Sequence, residues 1–165
     1  MTLEDLYDRY GVKMYHFLAL KLGSSEDAED VIQETFCRLA RYSVRWAIVR
    51  NPGAFVFKIA RNEANRFLAR RIRRRKAERE DDPIPPISHP TAQLDDQAHQ
   101  HNDSAALLAR ELSVLPDEQK EVIILKVFQD FTFKEIAAIC GISPNTAASR
   151  YRYGIGKLRS RLEKN

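Results

Sequence analysis

Only two cysteines occur in the 165 residues, Cys37 and Cys140, which are too few and too widely separated for a disulfide scaffold. Reduced thiols are expected, and both cysteines fall beside apolar helical positions, where they read as small core residues. Apolar runs are short: Ala54–Phe57 and Val122–Leu125 fall far below the ~20 residues that span a bilayer, so no membrane insertion is expected. Met1-Thr2-Leu3-Glu4-Asp5 has neither a basic nor an apolar leader segment, so no signal peptide and a cytoplasmic location are expected. There is no glycine-rich phosphate loop, no His-Glu-x-x-His and no Cys-x-x-Cys. An enzyme needs a nucleophile, an acid–base pair or a metal cluster, so no catalytic residue, metal or cofactor is expected. His99-x-His101 supplies two ligands within a polar tract, and a solvated tract is the better reading. His16 reads as a surface or boundary residue. Finally, no period-two segment is flanked by turn chemistry, so strands are not expected and the fold class is all-α.

What the chain does have is charge kept in blocks. Residues 1–60 are neutral overall, whereas 61–79 carry nine basic side chains against Glu63 and Glu78, a net of +7. Residues 80–103 hold six acidic residues, no Lys or Arg, and Pro83, Pro85, Pro86 and Pro90. Too little apolar surface is present there to offset the ordering entropy, so 80–103 reads as a flexible acidic linker. Residues 104–165 return to +3. The expected organisation is two small helical domains, 1–79 and 104–165. Two basic blocks around an acidic one point to a polyanionic partner, with nucleic acid leading.

The first domain reads as helices. Leu3, Leu6, Tyr7, Tyr10, Met14, Phe17 and Leu18 form one stripe at three-and-four spacing. Gly23-Ser24-Ser25 stops that helix and caps an acidic one, in which Val31, Ile32, Phe36, Leu39 and Ala40 can face inward. Asn51-Pro52 supplies an N-cap and first-turn proline for a helix over 52–76, with a core stripe of Val56, Ile59, Ala60, Ala64, Phe67, Leu68 and Ile72. In the second domain, Leu115-Pro116-Asp117-Glu118 starts a helix leading into Val122, Ile123, Leu125, Val127 and Phe128. Thr132-Phe133-Lys134-Glu135 fits a capping box, Gly141 ends that short helix, and Ser143-Pro144 starts the next. Two helices joined by a tight glycine turn form a helix-turn-helix unit.

The last helix buries Ala147, Tyr151, Ile155, Leu158 and Leu162 by spacing. Its opposite face then presents Asn145, Ala148, Ser149, Arg152 and Gly156, flanked by Thr146, Arg150 and Tyr153. These can donate to base edges and phosphates in a major groove, with Ala148 and Gly156 allowing close approach. A merely solvated basic face is the weaker alternative. On the helix over 52–76, Lys58, Arg61, Asn62, Asn65, Arg66, Ala69 and Arg73 make a second outer face of amides and guanidiniums. Tyr42, Trp46 and Phe55 bracket a loop with Arg45, Arg50 and Asn51; such aromatics can hold an unstacked base, or can simply be core. The acidic edge of Asp27, Asp30, Gln33 and Glu34, beside Phe36, is no surface for nucleic acid. It meets either water or a basic protein.

Taken together, Asp27-Ala28-Glu29-Asp30-Val31-Ile32-Gln33-Glu34-Thr35-Phe36, Phe57-Lys58-Ile59-Ala60-Arg61-Asn62, Leu112-x-x-Leu115-Pro116, and Ile136-Ala137 through Ser149-Arg150 resemble a bacterial sigma-70 family RNA polymerase sigma factor, of the small extracytoplasmic-function group that keeps only regions 2 and 4. The resemblance covers nearly the whole chain. It implies that Asp27, Asp30, Gln33, Glu34 and Phe36 bind the β′ clamp helices of core RNA polymerase. It also implies that Arg45, Asn51, Lys58, Arg61, Asn62, Asn65 and Arg66 belong to the part that melts and reads the −10 element. Asn145, Thr146, Ala148, Ser149, Arg150, Arg152 and Tyr153 then match the −35 recognition helix, in a domain that also meets the β flap. An anti-sigma factor is an implied partner beside polymerase and promoter DNA. Ala147-Ala148 stand where the family commonly has Val-Lys, and Tyr151, Tyr153, Gly154 and Gly156 replace more usual Leu and Ala. A stand-alone helix-turn-helix regulator is the main rival, and a protein-only adaptor the second.

Overall fold

The computed structural model describes residues 2–42, 49–78 and 102–163, and every regular element among them is helical. Helix α1 spans Leu3–Leu22, α2 Ser25–Ala40, α3 Pro52–Glu78, α4 Asn102–Ser113 and α5 Asp117–Ile123. A single π-helical turn, Ile124–Phe128, continues α5, and α6 (Phe133–Cys140) and α7 (Pro144–Leu162) complete the order.

Local chemistry sets most of these ends. The Thr2 hydroxyl accepts from the Asp5 N–H while the Asp5 carboxylate accepts from the Thr2 N–H, a capping box that starts α1. Asn51 Oδ1 accepts from the Ala54 N–H at 3.0 Å, so the asparagine before Pro52 does cap α3. Thr132 and Glu135 form a second reciprocal box at α6, and Ser143 Oγ accepts from the Thr146 N–H ahead of α7. Gly23 (φ 71°) and Gly141 (φ 68°) end α1 and α6 in the left-handed region, where a side chain would be strained.

Helices α1, α2 and α3 pack around Leu6, Met14, Phe17, Leu18, Val31, Leu39, Val56, Phe57, Ala60 and Ala64, all buried. Each large apolar side chain removed from water contributes about 1.5–3 kcal/mol. This core does not stop at the first half of the chain. Val122, Ile124, Leu125, Ile136 and Ile139 belong to the same apolar cluster, and Phe131 meets Phe57 edge-on at 5.0 Å. A smaller cluster of Leu112, Leu115, Ile123 and Leu158 seats α4 and α5 on α7. The sequence reading treats 1–79 and 104–165 as separate units; in the structure the two halves share a core.

The π turn explains one departure from the expected pattern. An i→i+5 turn inserts an extra residue, so the stripe that buries Val122 and Leu125 leaves Val127 and Phe128 about half exposed. Asp130, at φ 58°, then reverses the chain, and the Phe131 N–H donates to Leu125 O at 3.2 Å. Other expected core positions are also outside. Tyr7 is 60% exposed and stacks on Phe36 at 5.2 Å, Ile72 lies on α3 beyond the reach of α1 and α2, and Ala40 and Leu162 are exposed at helix ends. Cys37 is exposed rather than core, because the buried register of α2 is Val31, Thr35 and Leu39 and position 37 points away from it. Cys140 is buried and His16 exposed, as expected.

Candidate nucleic-acid and protein interfaces

Helix α7 buries Ala147, Gly154 and Leu158, with Tyr151 and Ile155 partly covered. Its other side leaves Asn145, Arg152, Tyr153 and Gly156 exposed and Thr146, Ala148, Ser149 and Arg150 half-buried. Several of these groups are held in place. Ser149 Oγ donates to Asn145 O at 2.9 Å, Thr146 Oγ1 lies 2.8 Å from Ser143 Oγ, and Arg150 Nη2 pairs with Glu118 Oε2 at 2.8 Å. The Arg152 guanidinium lies over the Tyr153 ring at 5.8 Å. Gly154 has a packing reason: a Cβ there would stand 2.7 Å from Ile123 Cδ1, so α7 approaches α5 more closely than any side chain would allow. Gly156 faces open space.

On α3, Lys58, Asn62, Asn65 and Arg66 are exposed along one face. Arg66 Nη1 donates to Glu63 Oε1 at 2.8 Å, and Arg38 Nε reaches the same oxygen at 2.7 Å, so the buried Glu63 carboxylate is charge-balanced by two arginines. The remaining residues expected on this face are engaged elsewhere. Arg61 is turned to the C-terminal half, where its Nε lies 2.9 Å from Glu121 Oε2 without the alignment of a hydrogen bond. Asn51 Nδ2 donates to Glu135 Oε1 at 2.7 Å. Tyr42 and Phe55 stack edge-on at 5.6 Å. Val44, Arg45 and Trp46 lie outside the described residues, as do His99 and His101.

The acidic edge of α2 is built as expected, with Asp30, Gln33 and Glu34 exposed and Phe36 half-buried. Asp27 is tied down by Arg71 Nη1 at 2.7 Å. A groove between α2 and α3 is lined by Asp30, Glu34, Cys37, Phe67, Arg70 and Arg74. It presents both charges around an apolar floor, a surface for protein rather than for nucleic acid.

Reading by residue type misses the charged groups between the halves. Lys21 Nζ lies 2.8 Å from Glu121 Oε1, both nearly fully buried, and the Cys140 thiol donates to Glu121 Oε2 at 3.6 Å. Burial alone would raise the Glu121 pKa, but Lys21 and Arg61 overcome it and hold the carboxyl below its ordinary value. Glu135 is likewise lowered, chiefly by the Thr132 N–H. Burial and the Glu121 charge push Cys140 up to about 12, so its thiol stays protonated. One signal for this cluster was present in the sequence: Lys21 sits three residues after Leu18 and four after Phe17, a charge within the apolar stripe.

Comparison with known proteins places this geometry. Residues 6–80 match the family described as Sigma-70 region 2, and residues 105–158 match Sigma-70, region 4. The RNA polymerase sigma factor CarQ of Myxococcus xanthus is 31% identical over 98% of this chain and 89% of its own. The RNA polymerase sigma factor SigZ of Bacillus subtilis is 22% identical over 99% of this chain and 88% of its own. The sigma factor RpoE solved with the anti-sigma factor NepR from Bartonella quintana has the same fold, with TM-score 0.73 and 23% identity over 97% of this chain and 98% of that one. The chain belongs to the sigma-70 family of RNA polymerase sigma factors, in the extracytoplasmic-function group. Its function is that of a sigma factor, directing RNA polymerase to promoters, rather than that of a stand-alone regulator.

Proposed function

We infer that the work is divided among three surfaces. The α2 edge of Asp27, Asp30, Gln33, Glu34 and Phe36 holds the β′ clamp helices of core polymerase. The outer face of α3, with Lys58, Asn62, Asn65 and Arg66 and with Arg61 and Asn51 at its margin, takes the −10 strand. The exposed side of α7 reads −35 duplex through Asn145, Thr146, Ala148, Ser149, Arg150, Arg152 and Tyr153. Residues 1–79 and 104–165 act as the two functional units, region 4 also meeting the β flap, with 80–103 as the connection.

The observation that carries this reading is that α3 and α7 each bury an apolar stripe while presenting amides and basic groups outward. Extruding a base costs a few kcal/mol, which stacking and basic contacts on the open strand offset. The chain supplies binding, and the phosphodiester chemistry belongs to the polymerase in the cytoplasm. RpoE was solved with the anti-sigma factor NepR, and a protein inhibitor of that kind is the expected partner here.

The test is transcription by bacterial core polymerase from duplex and pre-melted promoter libraries, with and without the chain. Chain-dependent initiation at a shared −35/−10 pair is expected. Asp30→Lys should abolish it by losing polymerase, and Arg152→Ala should relax −35 dependence while leaving pre-melted templates active. Duplex binding without any gain in initiation would overturn the division.

A further inference from the structure

The contacts between the halves involve two of the residues assigned above to the −10 strand. Arg61 faces Glu121 and Asn51 donates to Glu135, both carboxylates coming from the C-terminal half. Lys21 closes the other side of Glu121, and Phe131 seats on Phe57. Glu121 is 3% exposed and lies between two cations contributed by α1 and α3. A buried carboxylate is tolerated only when so partnered. Glu121 therefore favours docking strongly, because separating the halves strips it of both counter-charges at once.

Docking also fixes distance. Helix α6 lies against α3, and α7 packs on α6, so the two basic faces are separated by roughly three helix diameters, about 30 Å. Elements centred at −10 and −35 lie about 85 Å apart at 3.4 Å per base pair. The docked chain cannot engage both.

We propose that the docked arrangement is a promoter-blind resting state of this sigma factor, pinned by Glu121 between Lys21 and Arg61, and that polyanionic DNA opens it by competing for Arg61. The pin acts as an internal acidic ligand: its carboxylate occupies the guanidinium that a phosphate takes once the halves part. The Arg61 contact, close but poorly aligned, is the member a phosphate displaces first. The proposal rests on the assignment of Arg61 to the −10 face, whereas docking itself does not.

The experiment therefore reads both. The full chain carries Lys13→Cys and Lys157→Cys on exposed sites in a Cys37→Ser background, with the buried Cys140 left in place, and spin-label distances are measured without DNA. Wild-type side chains at the pin should give one short, narrow distribution. Glu121→Gln and, independently, Lys21→Met should shift it to long, broad distances while far-UV circular dichroism stays helical. Both variants should bind a mixed-sequence single-stranded DNA of about 12 nucleotides roughly tenfold or more tightly, since apparent affinity scales with the open fraction. Broad distances in the unaltered chain would overturn the proposal whatever the chain does with polymerase. Opening without any gain in single-strand affinity would overturn the blind state, while promoter-dependent transcription by the same protein would leave the functional assignment standing. Loss of promoter-dependent transcription in every form, wild type included, would remove that assignment and the proposal with it.

Discussion

Gly154 and Gly156 lie two residues apart in α7, and alanine at each should have opposite consequences. Glycine in a helix interior is about 1 kcal/mol less favourable than alanine. At 156 an added Cβ meets nothing within 4 Å, so the whole gain is retained. For a chain of this size about 1 kcal/mol corresponds to roughly 2–4 °C in Tm. At 154 the new methyl would stand 2.7 Å from Ile123 Cδ1 and 3.2 Å from Gln119 Cβ. Ile123 is 2% exposed and has no free volume to swing into. Overpacking of that kind costs about 1–3 kcal/mol, which cancels or exceeds the helix gain. Thermal denaturation of the full chain followed by circular dichroism should therefore show Gly156→Ala melting a few degrees higher and Gly154→Ala unchanged or lower. Gly156 also lies on the exposed side with Arg152, so its alanine variant should bind duplex promoter DNA more weakly despite its higher Tm. Equal stabilisation by both substitutions, or none at 156, would refute the close-packing argument.

Three further outcomes are expected. With a thiol-reactive disulfide reagent at pH 8, the exposed Cys37 should react fully while Cys140, buried and pushed up to about 12, stays silent until the chain unfolds; two rapidly reacting thiols would contradict the packing around Glu121. The Glu121 carboxyl is held below its ordinary 4.5, so the stability it contributes is complete above that value and drains away as pH falls through the lowered one. The Tm gap between wild type and Glu121→Gln should accordingly narrow between pH 5 and 3, and a gap that widens on acidification would reverse the sign of the argument. Thr132→Ala removes the cap of α6 and the donors that orient Glu135, and should cost about 0.5–2 kcal/mol in chemical denaturation; a neutral result would mean the box contributes nothing.

Much of the fold was legible because it is decided locally. Asn51-Pro52, Thr132 to Glu135 and Ser143-Pro144 act within four residues of themselves, and the helices begin where they stand. The third helix, expected over 52–76, ends within two residues of that. Helix α4 was not anticipated, although Leu108 and Leu112 pack it on α7. The π turn was equally hidden, since an extra residue leaves no trace in composition and shows itself only as Val127 and Phe128 leaving the stripe. The surfaces divide in the same way. The outward faces of α3 and α7 follow from helical spacing. The engagement of Arg61 and Asn51 does not, because their partners lie 60 and 84 positions along the chain. Lys21 could have been flagged as a charge in an apolar stripe, but its partner lies 100 residues away.

The carboxylate at position 121 has a consequence for how such a chain can be rebuilt. One half contributes the acid and the other both bases, so the halves are matched parts rather than interchangeable modules. A chimaera that kept residues 1–79 but took its second half from a relative with an apolar residue at that place would leave Lys21 facing a wall with no counter-charge. It would inherit the donor's DNA preference without this chain's restraint. Exchanging specificity between such proteins therefore requires carrying a single glutamate along with the helix that reads the DNA.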